Sequence, residues 1–373
     1  TQGRREGRRA LTALTTTAMA GTRSLVIAPQ WIGDAVMTEP LLARLAARGE
    51  QITVAALPWV APVYRALPVP VEVIELPFQH GALHWAERRA WAKACRDRFD
   101  RAYVCPNSLK SALLPWLAGV PIRVGYLGEC RVGLLTHRLP NPSRDQRPPM
   151  VDFYAALAGV ADPMVGHNGA RGRGQPTAPR SPERPRLVMA WAVQQAALQA
   201  HGLSLHGHVV MAPGAEYGPA KRWPEAHFAE VAARLACDVV LLGSAKDREV
   251  CADIVARAQV NKRQGRLLNL AGQTSLEQAF ALIASARQVV SNDSGLMHVA
   301  AALEVPQVAI FGSSSPEHTP PLSPKAQVIW LKWDDRYQPA LDCAPCFQRE
   351  CPQGHLRCLQ DIRPERVVQA LSA

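Results

Sequence analysis

The feature that most constrains this chain is an alternation that runs twice. Short apolar, β-branched runs occur at residues 24–29, 52–57, 72–76, 101–106 and 122–126, separated by stretches of helical periodicity such as 35–48 and 86–98. The pattern restarts with runs at 208–214, 238–243, 267–272, 288–293, 307–312 and 327–331, between helical stretches at 224–236, 247–258, 275–286 and 295–303. Runs that are apolar on both faces fit strands buried on both sides, and strand–helix alternation is the pattern of parallel sheets covered by helices. The two halves meet at residues 166–186, GHNGARGRGQPTAPRSPERPR, a Gly/Pro/Arg-rich stretch without periodicity. Such a stretch reads as a linker. The expectation is therefore a disordered extension at 1–22, a first doubly wound domain at 23–165, a linker at 166–186, and a second doubly wound domain at 187–373. The second domain carries a Cys-rich segment and a C-terminal helix. Two such sheets facing each other leave a cleft at the carboxyl ends of their strands, where ligands bind.

Composition narrows the partners. Hydrophobic residues at 48% and charged residues at 20% exclude a mainly disordered chain. No apolar stretch reaches the roughly 18–20 residues of a membrane span. Lys and Arg number 42 against 31 Asp and Glu, a net charge of +11, which favours an anionic partner. The first residues, TQGRREGRRALTALTTTAMA, are too poor in apolar side chains for a secretory or twin-arginine signal. They read as an over-extended start, with Met19 as initiator and disorder before residue 23. Nine cysteines are spread unevenly. Cys95, Cys105, Cys130, Cys237 and Cys251 read as reduced, mostly buried thiols. Cys343, Cys346, Cys351 and Cys358 lie in CAPCFQRECPQGHLRC. The CxxC pair suits zinc or an iron–sulfur cluster, but the remaining spacing matches no zinc pattern, and a compact reduced loop is the plainer reading. A reducing cytoplasm follows from that cysteine usage.

Four strand-to-helix turns carry the chemistry. PQWIGD ends the first run and opens a helix at Gly33-Asp34. Gly33 would admit a ligand close to the backbone. Asp34 is either a general base or an ordinary helix-capping Asp. MAPGAEYGPAKRWPE passes through Gly214 and Ala215 to Lys221, then starts a helix. Free amides, a helix start and a lysine make a phosphate site, although the Walker order is absent. LLGSAKD places Gly243 and Ser244 at a similar small-residue turn, and SNDSGLMH brings Asp293, Ser294, Gly295 and His298 together. Asp293, Ser294 and His298 are too nearly contiguous for a hydrolase triad, and no Gly-x-Ser-x-Gly elbow is present. Binding the diphosphate and sugar of an activated donor suits them better. His298 alone reads equally as a core or capping residue.

Together the segments APQWIGDAVMTEPLL, PNSLKSALLPWLAGVPIRVGY, APGAEYGPAKRWPEAHFAE, NLAGQTSLEQAFALIASARQVVSNDSGLMHVAAAL and CAPCFQRECPQGHLRC, in this order, resemble the ADP-heptose:lipopolysaccharide heptosyltransferases of glycosyltransferase family 9. The resemblance runs from about residue 25 to the C-terminus. It implies a GT-B fold of two Rossmann-like domains, the first binding the acceptor and the second the nucleotide sugar. It also implies an inverting, metal-independent transfer of L-glycero-D-manno-heptose from ADP-heptose to the first heptose of the lipopolysaccharide inner core. Asp34 matches the general base of that family, and Lys221 the lysine that meets the donor phosphates. Gly214, Ala215, Gly243, Ser244, Asp293, Ser294, Gly295 and His298 complete the implied donor site. Gly33, Asn107, Ser108, Lys110 and Arg123 fall in the acceptor segments. No cofactor is required in that reading, with ADP-heptose as co-substrate. A monomer in the cytoplasm, peripheral to the inner membrane and without nucleic acid, is expected.

Three rivals remain open at this point. A paralogue in the same family would act on Kdo-lipid A instead. A sugar-nucleotide hydrolase would release ADP without an acceptor. A basic metal-dependent nucleic-acid-binding protein would be built on the cysteine cluster, although no aromatic-rich sheet or zinc-finger spacing supports it.

Overall fold

The structure, a computed structural model, describes residues 21–78, 82–143, 146–160, 183–259 and 264–372. The extension expected at 1–22 lies outside them but for its last two residues, and the linker expected at 166–186 lies outside them up to residue 182.

The first half forms β1 (Arg23–Ile27), β2 (Gln51–Ala56), β3 (Val71–Glu75), β4 (Arg101–Val104), β5 (Ile122–Tyr126) and β6 (His137–Leu139). The second forms β7 (His208–Ala212), β8 (Asp238–Leu241), β9 (Leu267–Asn269), β10 (Gln288–Asn292), β11 (Gln307–Ile310) and β12 (Ala326–Ile329). Each set makes one sheet of six parallel strands, ordered β3-β2-β1-β4-β5-β6 and β9-β8-β7-β10-β11-β12. Both sheets thus share one doubly wound topology, with order reversing between β1 and β4 and between β7 and β10. The crevice at such a reversal is where open α/β sheets bind ligands. The central strands are apolar on both faces. Leu25 and Val26, Val209 and Val210, and Val289 and Val290 have at most 1% of their surface exposed.

The expected strands are all present, but the runs extend past the ordered strand at the carboxyl end. Pro29, Pro106, Pro213 and Gly243 belong to loops. The helical stretch expected at 35–48 is two helices, Ile32–Met37 and Glu39–Ala47. Pro40 brings no amide to the second helix, and the Thr38 hydroxyl donates to the Ala35 carbonyl at 2.7 Å, so the ladder breaks between them. Strand β6 is three residues long, His-Arg-Leu, too short and polar to stand out as an apolar run.

Three features join the halves. Leu187 donates its amide to Ala302 at 2.9 Å and Val188 donates to Ala66 at 2.7 Å, so one short segment ties both sheets' helices. Met150 donates to His318 at 2.9 Å. The short helix Ile32–Met37 packs against Gly295–Ala302, and one apolar cluster runs from Leu25 to Phe280. The last helix, Pro364–Ser372, packs on Glu225–Arg234 and against β11 within the second half.

Candidate active site

Loops after β1, β7, β8 and β10 converge on a cleft of about 620 Å³. Gln30, Trp31, Gly33 and Trp59 form its first-half wall, while Gly214, Ala215, Gly243, Ser244, Ser294 and Gly295 form the opposite one. Seven residues expected from sequence (Gly33, Gly214, Ala215, Gly243, Ser244, Ser294 and Gly295) therefore line one space.

Glycine is required where the two halves touch. A Cβ on Gly33 would stand 2.7 Å from His298 Cδ2, and one on Gly295 would stand 2.9 Å from Ile32 Cβ. Gly33 thus gives room to a protein side chain as well as opening towards the cleft. On the far wall, a Cβ on Gly214 or Gly243 would lie 2.5 or 2.8 Å from the side chain of Asp247. That carboxylate accepts from the Ser244 amide at 2.9 Å and the Ser244 hydroxyl at 2.8 Å. It locks the turn after β8 against the turn after β7. Asn292 does the same between β10 and β7: its Nδ2 donates to the Pro213 carbonyl at 2.6 Å and its Oδ1 accepts from the Trp223 amide at 3.0 Å.

The ionisable groups gather beside the cleft. Lys221 Nζ donates to Asp293 Oδ2 at 2.5 Å, and Thr319 donates to the other Asp293 oxygen at 3.4 Å. Lys221 ends a single 3-10 turn, Pro219–Lys221, and the α-helix begins only at Glu225, so the lysine precedes the helix rather than starting it. Asp34 lies in the first turn of Ile32–Met37 and accepts from the Tyr154 hydroxyl at 2.9 Å. Burial pushes its carboxyl above the ordinary carboxylate range. The Tyr154 bond and the Lys221 charge oppose that shift, and Asp293 adds to it. A carboxylate so placed is a stronger base than one in water. Burial lowers the His298 pKa to about 4, with Asp293 pulling it up and Lys221 pushing it down, so its imidazole is neutral at neutral pH. Ser294 is the N-cap of Gly295–Ala302 but makes no side-chain cap bond, leaving its hydroxyl for a ligand.

Lys221 also borders a second cavity of about 420 Å³ with Arg147, Tyr217 and His318. The cysteine segment supports the loop that leads to it. Ala220 donates to the Arg349 carbonyl at 3.0 Å, and the Tyr217 hydroxyl donates to Phe347 O at 2.9 Å. Cys343, Cys346, Cys351 and Cys358 line one small void against Ala220 and Ser313. All nine cysteines are free thiols; Cys130 is exposed and Cys237 half-buried, unlike buried Cys95, Cys105 and Cys251. Among the described residues no group of three or more His, Cys, Asp or Glu is arranged to hold a metal ion.

The acceptor-side residues separate. Ser108 and Lys110 line a pocket of about 240 Å³ at the carboxyl ends of β1, β2 and β4, which meets the main cleft at Gln30. Ser108 also caps the helix Leu109–Leu117, accepting from the Ser111 amide at 3.3 Å. Asn107 accepts from Arg131 at 3.1 Å and is not among the residues that line the pocket. Arg123 donates to the Leu134 and Val120 carbonyls at 2.6 and 2.5 Å and lines neither the pocket nor the cleft. Sequence reading passed over Asp247, Asn292 and Tyr154. Ser244-x-x-Asp247 is a capping-box pattern that marks the first; nothing local marks the other two.

A chain of two doubly wound α/β sheets with ionisable groups gathered beside the crevice between them has the architecture of GT-B glycosyltransferases. The family model for glycosyltransferase family 9 (heptosyltransferase) matches residues 88–357, and the chain belongs to that family. It is 42% identical to the lipopolysaccharide heptosyltransferase 2 of Escherichia coli (strain K12), over 94% of this chain and 97% of that protein. It is 39% identical to the lipooligosaccharide heptosyltransferase 2 of Haemophilus influenzae, over 93% of this chain and 98% of that one. The solved structure of E. coli ADP-heptose LPS heptosyltransferase II matches with a TM-score of 0.75 at 38% identity, covering 94% of this chain and 98% of that one.

Proposed function

We propose that this chain transfers L-glycero-D-manno-heptose from ADP-heptose to the first heptose of the lipopolysaccharide inner core, with inversion and without a metal ion. The observation that carries the reading is the gathering of Asp34, Lys221, Asp293 and His298 where two walls of one cleft meet. The full-length likeness to heptosyltransferase 2 proteins supports the substrate pair.

The second half is suited to the donor. Small-residue turns after β7, β8 and β10 present backbone amides, and Lys221 adds a cation, so the diphosphate is met by positive charge without a divalent ion. The Ser294 hydroxyl and the start of Gly295–Ala302 suit the diphosphate, Asp293 the heptose hydroxyls, and the turn at Gly243 and Ser244 the adenosine. Asp34 enters from the first half. An acceptor hydroxyl seated between Asp34 and the donor attacks the anomeric carbon from the face opposite ADP. Its proton passes to Asp34, the bond from carbon to the phosphate oxygen breaks, and ADP leaves towards Lys221. The raised Asp34 pKa favours that proton transfer. The neutral His298 serves as a hydrogen-bonding group rather than a charge. Both walls belong to one chain, which supports a monomeric enzyme. A lipid-linked acceptor places it in the cytoplasm beside the inner membrane.

The test is ADP release from ADP-heptose, with EDTA present, using acceptors bearing no heptose and one heptose, for the native chain and Asp34→Ala. Release that needs the one-heptose acceptor and collapses in the variant is expected. Release without acceptor would make the protein a hydrolase, and preference for the heptose-free acceptor would move it to the paralogous step.

A further inference from the structure

The cavity of about 420 Å³ beside Lys221 has no part yet in the transfer, and neither has the cysteine-rich segment. The two belong together. Pro345 and Phe347, from CAPCFQREC, line the cavity. Phe347 holds a φ of +53°, a backbone region that costs a non-glycine residue energy and persists only where neighbours impose it. Here its amide donates to Ser313 O at 2.7 Å and its carbonyl accepts from the Tyr217 hydroxyl at 2.9 Å. Further along, the Arg349 carbonyl accepts from the Ala220 amide at 3.0 Å, and the Arg349 guanidinium lies over the Tyr217 ring, 5.2 Å from its centroid. The segment is thus stapled to the loop that presents Lys221. The half-buried Phe347 ring stands perpendicular to that of His318, with centroids 6.3 Å apart.

The first half contributes Arg147 to the same cavity. It comes just before the helix Met150–Val160, whose Tyr154 holds Asp34, and the Met150 amide donates to His318 O across the seam. Arg147 is exposed and makes no hydrogen bond or ion pair among the described residues. Glu317 lines the cavity too, and no ion pair joins it to Arg147. A guanidinium and a carboxylate that share a cavity without pairing are both open to a ligand, the first to an oxyanion and the second to hydroxyl groups. Phe347 and Pro345 add an apolar surface, and an apolar lining with a few polar groups is the make-up of a small-molecule site. The turns suited to the donor stay apart from it. Gly214, Gly243, Ser244 and Ser294 all line the main cleft, and the two spaces have no lining residue in common. Lys221, paired with Asp293, stands at the border of the cavity.

We infer that this cavity seats one sugar of the acceptor, its ring against Phe347 and Pro345, its hydroxyls facing Glu317, and an oxyanion of the acceptor, carboxylate or phosphate, against Arg147. The small pocket beside Ser108 is left to another part of the same oligosaccharide. The cysteine-rich segment is then a specificity element: outside the main cleft, it lets the second half read the acceptor. The identity of the ligand rests on the proposed function, while the site itself can be measured by binding alone.

The experiment is calorimetric binding of the deacylated inner-core oligosaccharide bearing one heptose to the full chain saturated with ADP. Phe347→Ala should weaken that binding about tenfold and Phe347→Tyr should keep it, while the ADP affinity of both stays within about twofold of native. Arg147→Ala should weaken it about tenfold or more. The same oligosaccharide with its carboxylates reduced to alcohols, or with its phosphates removed, identifies the oxyanion. The native chain should lose affinity for one of these forms, and Arg147→Ala should lose none beyond that. No binding by the native chain, unchanged acceptor affinity in Phe347→Ala and Arg147→Ala, or a fall in ADP-heptose affinity in its place would overturn the inference. So would an Arg147→Ala loss that persists in full on both altered forms. Failure of the enzymatic reading looks different. An oligosaccharide that binds in this pattern and is never glycosylated would sink the transfer and leave the site standing. Transfer by both variants at the native acceptor KM would sink the site and leave the transfer standing.

Discussion

The two halves share one strand order and part company beyond the strand ends. After β7, β8 and β10 the turns are small-residued and cross-braced. Asp247 accepts from Ser244 and packs beside Gly214 and Gly243, Asn292 spans Pro213 and Trp223, and Lys221 is paired with Asp293. After β1 and β4 the first half offers the Asp34 carboxylate, held by Tyr154, then a small pocket that Arg88, Ser108, Lys110 and Glu129 help to line. In the proposed reading, one wall receives the donor and the other brings the base. A shared topology thus leaves the chemistry to the loops.

The sharpest way to break this comparison is Asp34→Asn. If the halves divide as base and cradle, turnover should fall about 10²- to 10⁴-fold, while the affinity for ADP measured calorimetrically stays within about twofold. The pH dependence has a defined sign. The folded-state pKa of Asp34 is raised, so kcat/KM should rise with pH through a limb above the ordinary carboxylate value of about 3.9. His298, with its pKa near 4, is already neutral there and contributes no limb at neutral pH. A raised carboxyl pKa also means that the fold holds this proton more tightly than the unfolded chain does. Its ionisation therefore costs stability as pH rises. Asp34→Asn should melt at an equal or higher temperature at pH 7, and the difference should close in acid. A variant that is inactive because it is unfolded would show the opposite.

The glycines give the next effect. A methyl at Gly214 comes nearest to Asp247, inside the second half, whereas a methyl at Gly33 comes nearest to His298 across the seam. Overpacking a buried contact costs about 1–3 kcal/mol. Gly214→Ala should therefore raise the donor KM by about tenfold and spare the acceptor. Gly33→Ala should lower kcat and raise both KM values, because it alters how the walls meet. Steady-state kinetics with each substrate varied in turn distinguishes the two patterns, and identical patterns would dissolve the division of labour.

Much of this was legible in the chain. The apolar runs identify eleven strands, because central parallel strands must be apolar on both faces. They overshoot at the carboxyl ends because Pro29, Pro213 and Gly243 are as small or apolar as the strands they follow; Gly243 lines the cleft, and Pro29 and Pro213 immediately precede the residues Gln30 and Gly214 that do. The cleft residues from Gly33 to Gly295 were visible as strand-to-helix turns. Tyr154 was not, since it reaches Asp34 from 120 residues away and sits in a helix whose local pattern marks only burial. Arg123 shows the reverse limit. Its charge suggests an anion site, and only the fold reveals that its guanidinium is committed to the Val120 and Leu134 carbonyls.

The smallest expected effect compares two serines that each sit at a helix start, one in each half. Ser108 follows β4 and caps Leu109–Leu117 through the Ser111 amide; Ser244 follows β8 and shares a capping box with Asp247. Loss of a cap hydroxyl costs about 0.5–2 kcal/mol, so Ser108→Ala and Ser244→Ala should each lower thermal stability slightly. Ser244→Ala should stay near the lower end, because its backbone amide still donates to Asp247 at 2.9 Å and keeps the Gly214 and Gly243 turns together. The kinetic signatures should nonetheless part. Ser244 lines the main cleft and Ser108 the small pocket, so the first change should touch only the donor KM and the second only the acceptor KM. A shift in the acceptor KM on changing Ser244 would mean that the amide cradle also reads the acceptor. The two walls would then share a substrate rather than divide them.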